Sequence, residues 1–268
     1  MSKKIMFVWL ASYPKSGNTL VRSMLAAYFF SNDGIYDFDL IKNIKQFPKS
    51  QLFEKMGIDI KNEKELVKNY IRVQESINKK NSLQFLKTHS YLFNIENNPF
   101  TDLNNSLGAI YIVRDPRNIV TSWANFASVS IEQSVETLIN GFKFGGQFDN
   151  PEKKDKAIVF MGNWKINYNS WKAFKTQQKY LLIKYEDLIE NSEIEFKKIL
   201  KFIFKLKKKD FVIDQKKFDN VIKTTDFQTM KNLEKVKGFN ESKKNKETGE
   251  KIPFFNLGPK NDWRRLLE

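Results

Sequence analysis

Three short stretches of this sequence carry residue types that can hold anions and move a proton. The first is Lys15-Ser16-Gly17-Asn18-Thr19, small and polar, lying between an apolar run and a helix-spaced segment. Such a loop gathers free backbone N–H groups and the positive end of a helix dipole at one point, which suits a phosphate-like anion. Lys15 adds a full charge, and Ser16, Asn18 and Thr19 add side-chain donors. The second stretch is Lys87-Thr88-His89, which contains the only histidine of the chain. An imidazole with an unperturbed pKa of ~6.5 accepts a hydroxyl proton near neutral pH, so His89 is the candidate base and Lys87 a second cation beside it. The alternative for His89 is a structural role, with a carboxylate as base. The third stretch starts at Arg114 and includes Ser122. An arginine fork makes paired hydrogen bonds to phosphate, so Arg114 and Ser122 could grip a second anion together.

Each stretch needs an element to aim it. Ile5 to Leu10 is an unbroken apolar run bounded by Ser12, Pro14 and Gly17, the pattern of a buried strand. Leu20 to Phe30 has helical spacing, so the first stretch is a strand-to-helix turn. It is not a Walker A loop, because its lysine precedes the glycine. Leu83 to Leu86 is a short strand that would place Lys87 and His89 at its carboxyl end, where open α/β sheets carry reactive groups. Gly108 to Val113 is a third buried strand, followed by a helix with Asp115 as N-cap and Pro116 in its first turn. Lys179 to Ile183 is a fourth, leading into Tyr185-Glu186-Asp187, and Phe196 to Ile203 is a helix that ends in a basic run. Residues 32 to 82 read as a helical insertion, with patterns over Asp37 to Phe47, Gln51 to Met56 and Glu63 to Ile77. Residues 238 to 251, rich in Lys, Glu, Asn and Gly, read as a mobile loop.

Composition narrows the chemistry. The 268 residues are 41% hydrophobic, enough for one elaborated domain with a substantial core. With no cysteine and one histidine, disulfides and thiolate metal sites are excluded, and no metal is expected. No segment reaches the length of a membrane helix and no signal peptide is apparent, so a cytoplasmic protein without stable membrane insertion is expected. The 46 Lys plus Arg against 31 Asp plus Glu give a net charge of +15, which attracts anions of many kinds. The excess is mainly lysine, in a chain also rich in Asn, Ile and Phe, as an AT-rich coding bias produces. No nucleic-acid-binding motif accompanies it.

The stretch SYPKSGNT after the first strand, Lys-Thr-His after a later one and IVRDPRNIVTSW after the next together resemble the sulfotransferases that use 3′-phosphoadenosine 5′-phosphosulfate (PAPS). Tyr185-Glu186-Asp187 after the fourth strand is similar to the same family. So are Thr224-Thr225-Asp226-Phe227-Gln228-Thr229-Met230 and the segment from Phe254 through Gly258 to Arg264. The resemblance implies a single domain, residues 1 to 268, with a P-loop-NTPase-like three-layer α/β fold. Its central, mostly parallel sheet would have four or five strands flanked by helices.

It also implies roles. The 5′-phosphosulfate goes to Lys15, Ser16, Gly17, Asn18 and Thr19, and the 3′-phosphate to Arg114 and Ser122, with Gly258 closing. Tyr185, Thr225 and Phe227 contact the adenine. Lys15 and Lys87 stabilise the leaving and transferring oxygens. PAPS is the co-substrate and adenosine 3′,5′-bisphosphate (PAP) the product. Two positions depart from the cytosolic members: Leu20 stands where they have tryptophan, and Asn256-Leu257 where they have Arg-Lys. Both point towards a bacterial-type member, and Lys251, Lys260 or Arg264 could replace the missing cations. The acceptor, a small molecule or glycan, is left open, as is a homodimer. The competing readings are a nucleotide-dependent phosphotransferase, which would need a true Walker A loop and a Mg²⁺ carboxylate, and a lysine-rich nucleic-acid-binding protein.

Overall fold

Strand β1 (Phe7–Ser12) is buried along its whole length because both of its faces are covered. A computed structural model of the chain, describing residues 7–78, 83–144, 157–244 and 248–267, places it third in a five-stranded sheet of order β2-β3-β1-β6-β9. The other members are β2 (Lys45–Gln46), β3 (Gln84–Thr88), β6 (Ser106–Val113) and β9 (Tyr180–Lys184), and every neighbouring pair is parallel. Among the described residues three two-stranded antiparallel ladders lie outside it: β4 (Asn94–Ile95) with β5 (Asn98–Pro99), β7 (Phe142–Phe144) with β8 (Val159–Gly162), and β10 (Lys243–Lys244) with β11 (Lys251–Ile252). The expected α/β class and sheet are therefore present.

Alternation along β1 divides the core in two. Val8 and Leu10 pack with residues of α1 (Asn18–Phe30), α9 (Ser192–Leu206) and α10 (Gln215–Thr224). Phe7, Trp9 and Ala11 pack on the other side with α3 (Glu63–Lys68), α4 (Tyr70–Ile77) and Trp171. Trp9 lies in a cluster of rings with Phe47, Phe100 and Trp171, and its indole N–H donates to Ser106 Oγ at 2.8 Å, so the polar edge of the ring is satisfied. The register sets Ala11 opposite both Thr88 and Tyr111, which brings the carboxyl ends of β1, β3 and β6 level. Those level ends are where the site forms.

Two expectations about residues 32 to 82 are corrected. Asp37 to Phe47 is not a helix: it holds one 3₁₀ turn, Leu40–Asn43, and then β2, the edge strand of the sheet. A strand of two residues is too short to show an alternating pattern. Glu63 to Ile77 is two helices rather than one, broken at Asn69, whose side-chain amide donates to Glu65 O at 2.8 Å. Between the 3₁₀ turn and these lies α2 (Ser50–Glu54). The Phe196 to Ile203 helix is longer than expected, since α9 runs from Ser192 to Leu206. Of the stretch read as a loop, Phe239 is buried and residues 243–244 pair with 251–252, while 245–247 lie outside the described residues. Among the described residues no helix is long and apolar enough to cross a membrane.

Candidate active site

The turn after β1 owes its shape to Gly17. Its φ is +95°, and a Cβ there would lie 2.4 Å from the Tyr185 ring, so this position needs both the conformational freedom and the missing side chain of glycine. Helix α1 starts at Asn18 with no side-chain cap, leaving its first N–H groups directed at the turn. The Asn18 amide donates back into β1, to Leu10 O at 2.9 Å and Ser12 Oγ at 3.2 Å, and so locks the turn to the strand. Ser16 is buried, and its hydroxyl has no hydrogen-bond partner among the described residues.

Arg114 directly follows β6 and reaches this turn. Its Nη1 donates to Lys15 O at 2.9 Å, its guanidinium lies 4.2 Å from the centre of the Tyr185 ring, and its buried Nε is unpartnered among the described residues. Burial lowers its pKa, against the opposing pull of Tyr185 and Glu186. Ser122 follows on α5 (Pro116–Ala127), capped by Asp115 as expected. Glu186, on α8 (Tyr185–Glu190), accepts the Asp115 N–H at 3.0 Å, so the Tyr-Glu-Asp stretch braces the corner that carries Arg114.

His89 lies just past β3. Its Nδ1 is 2.8 Å from Ser12 O, and since a carbonyl only accepts, Nδ1 carries the proton and Nε2 keeps its lone pair. Burial, with the charge of Lys87 second, holds the imidazole pKa down to about 3, against the Ser12 carbonyl and Glu241. The ring is therefore neutral throughout the working range, and a weaker base than an exposed histidine. Lys87 is itself buried, which brings its pKa down to about 8, with Glu241 opposing and Arg22 reinforcing the shift. Thr88 accepts the Ser90 N–H at 3.1 Å, a structural role.

Lys15, Gly17, Asn18, Thr19, Lys87, His89, Arg114, Ser122, Tyr185, Thr225, Phe227 and Gly258 all line one cavity of about 300 Å³. Ser16 lies beneath the turn. The Lys15 ammonium lies between two rings, 4.2 Å from the centre of Phe126 and 4.4 Å from that of Phe254. Thr225, at the end of α10, donates its hydroxyl to Val221 O. Phe227 opens α11 (Phe227–Lys237) against Gly258, where an added Cβ would meet the ring at 2.2 Å. The segment around Gly258 is fixed to α5 through Asn261, which accepts from Thr121 Oγ1 at 2.7 Å and donates to Asn118 O at 2.7 Å, just before α12 (Trp263–Leu266). Lys251, Lys260 and Arg264 are not among the cavity-lining residues; Arg264 pairs instead with Asp262.

Sequence reasoning missed two charged residues here. Arg22 lies one turn after Thr19 on α1 and is buried, a position that helical spacing could have identified. Glu241 lies in the stretch read as a loop, where no pattern marks it; it meets Arg22 Nη1 at 2.6 Å and Thr19 Oγ1 at 3.2 Å. Neither α6 (Ile131–Asn140) nor α7 (Trp164–Ser170) lines the cavity, but Asn167 of α7 donates 2.8 Å bonds to both His89 O and Met161 O. No cluster of three or more metal-ligating side chains occurs among the described residues.

Comparison with known proteins fits this geometry. The chain is 24% identical over 260 residues to mouse "Sulfotransferase 1B1", covering 96% of this chain and 76% of that protein. Mouse sulfotransferase SULT7A1 complexed with PAP superposes with a TM-score of 0.53 at 16% identity, covering 97% of this chain and 78% of the other. Retinol dehydratase in complex with androsterone and inactive cofactor PAP gives 0.57 at 14% identity, covering 97% and 76%. The sulfotransferase domain family matches residues 7–268, and the chain belongs to it.

Proposed function

We propose that this enzyme transfers the sulfuryl group of PAPS to a hydroxyl or amine of an acceptor by in-line displacement. The observation that carries the reading is the convergence on one cavity of Lys15, Gly17, Asn18 and Thr19 from the turn with Arg114 and Ser122. Arg114 joins them through its bond to Lys15 O. The buried, unpartnered Nε of Arg114, a residue that lines the cavity, suits a ligand with an anionic group there. The PAP named in both structural relatives supports the same donor.

PAPS supplies the sulfuryl group, and the 5′-phosphate of PAP leaves with the bonding electrons. The turn and the first N–H groups of α1 hold that phosphate, with Lys15 stabilising the oxygen on which charge develops. His89 takes the acceptor proton at Nε2, the nitrogen that the Ser12 carbonyl leaves unprotonated. Positioned bases contribute about 10² to 10⁴ in rate when their pKa lies near the working pH, and His89, held down to about 3 in the free enzyme, contributes at the low end of that range. Lys87 stabilises the sulfuryl oxygens in flight. Val159 and Met161 line the same cavity, and Asn167 ties Met161 to His89, so an apolar wall flanks the base. That wall favours an acceptor with an apolar body and one reactive hydroxyl or amine over a fully polar glycan.

A PAPS-dependent acceptor screen read by mass spectrometry tests the reading, with Lys15→Ala and His89→Ala run beside the wild type. Lys15→Ala should lose turnover on every acceptor, and His89→Ala chiefly on high-pKa hydroxyls. Unchanged turnover in both variants would rule the mechanism out.

A further inference from the structure

Glu241 brings a carboxylate into the cavity from far along the chain. Its Oε1 lies 2.6 Å from Arg22 Nη1 and 4.0 Å from Lys87 Nζ, and its Oε2 accepts from Thr19 Oγ1 at 3.2 Å. Arg22 and Lys87 are nearly closed to solvent, with side chains 6% and 9% exposed. The two cations and the carboxylate hold one another's charge: burial alone would raise the Glu241 pKa, but Lys87 and Arg22 outweigh it and hold it down to about 2. Thr19 belongs to the turn that grips the donor, and Lys87 is the cation placed at the sulfuryl oxygens. A carboxylate that takes both occupies ground that a transferring anion needs.

We propose that Glu241 is an internal counter-anion of the sulfuryl subsite, which the sulfuryl group of the donor must displace. Glu241 thereby sets how tightly PAPS binds relative to PAP. This rests on the sulfotransferase reading given above. Like-charged groups cannot share one set of donors without cost: the carboxylate opposes the 5′-phosphate of either nucleotide at Thr19, but only a ligand with a sulfuryl group also needs Lys87, so PAPS is opposed more strongly than PAP. The displaced side chain has somewhere to go. Glu241 and Arg22 also line a second cavity, of about 470 Å³, where Lys45 and Lys49 offer other cations, while Lys42 and Lys237 are paired with Asp39 and Asp37. After transfer, the returning carboxylate competes with the new sulfate for Lys87 and Arg22 and so favours product release.

The neighbouring residue carries the exchange outward. Ser242 Oγ donates to Glu234, whose carboxylate also accepts the N–H groups of Phe254 and Phe255. Phe254 is one of the two rings against the Lys15 ammonium. A purely structural ion pair would have none of this selectivity towards the ligand.

Calorimetric titration of the full chain with PAPS and with PAP, in the absence of acceptor, tests the proposal in the wild type, Glu241→Gln and Glu241→Ala. The glutamine variant keeps the shape of the side chain, so a folding defect confined to the alanine variant leaves the comparison intact. Both variants should bind PAPS at least tenfold more tightly than the wild type, with a gain in PAP affinity at least fivefold smaller than the gain for PAPS. PAPS and PAP affinities that change by the same factor, or a PAPS affinity that stays the same or weakens, would overturn the proposal while PAP binding itself upheld the donor reading. A wild type that binds neither nucleotide would overturn both.

Discussion

Lys87 faces Arg22 on α1, His89 beyond its own strand and Glu241 from the segment after α11, and its pKa of about 8 is the balance of burial against that one carboxylate. The sign of the consequence follows directly. The ammonium is charged below that value and lost above it, so a step that needs the cation slows as pH rises. With the donor limiting, kcat/KM reports the free enzyme, and it should fall about tenfold per pH unit above roughly pH 8. His89 gives the opposite expectation: with its pKa held down to about 3, it imposes no ascending limb between about pH 5 and 7. Lys87→Arg should abolish the alkaline fall, because a guanidinium stays charged to above about pH 12. A pH profile of kcat/KM for the wild type and this variant checks both. A rise centred near 6.5 would show that the imidazole titrates as an exposed one does, contrary to its burial against Ser12 and Lys87.

Among the elements, α11 has a structural task that its sequence does not advertise. Glu234 is buried near its end, and its carboxylate accepts from Phe254 N at 2.8 Å, Phe255 N at 2.9 Å and Ser242 Oγ. One side chain thus fastens both the turn that carries Glu241 and the segment that closes the cavity. Glu234→Ala leaves buried N–H donors without an acceptor and should cost about 1–3 kcal/mol of stability. It should also speed hydrogen exchange at Phe254 and Phe255 and weaken PAP binding, while exchange in β1 and β6 changes only by the global stability loss. Exchange read by NMR or mass spectrometry, beside a denaturant titration, separates the local effect from the global one. The elements around β1 were legible because an unbroken apolar run, a glycine turn and helical spacing follow one another there, and β6 with Arg114 was legible because its apolar run leads into the Asp115 cap and Pro116 of the next helix. Strand β2 was not, since its two residues become a strand only by pairing with Leu86 and Lys87. Nor was the Arg22–Glu241 contact, whose partners lie 219 positions apart in the chain and meet only after the sheet has formed.

At the scale of the whole molecule, the cavity draws on residues from Pro14 to Asn261, so a ligand that fills it ties the N-terminal turn, the centre of the sheet and the closing segment to one another. A ligand bound only by the folded state stabilises it by mass action, about 2.7 kcal/mol at a hundred times Kd. For a chain of this size that is a rise of roughly 5–10 °C in Tm. The net charge of +15 complicates the measurement, because a diffuse positive surface attracts any polyanion. Salt distinguishes the two effects. Exposed lysines are screened over about 10 Å at 0.1 M salt and about 3 Å at 1 M, whereas buried groups are screened far less. Arg114, the N–H groups at the start of α1 and Ser16 are of the buried kind. The stabilisation by PAP should therefore persist in roughly 0.5 M salt at a saturating ligand concentration, while any shift produced by duplex DNA or by ATP–Mg²⁺ should vanish there. Thermal unfolding followed by tryptophan fluorescence at low and high salt gives both values. A PAP shift that disappears together with that of DNA would mean that the surface charge, and not the cavity at the strand ends, holds the nucleotide.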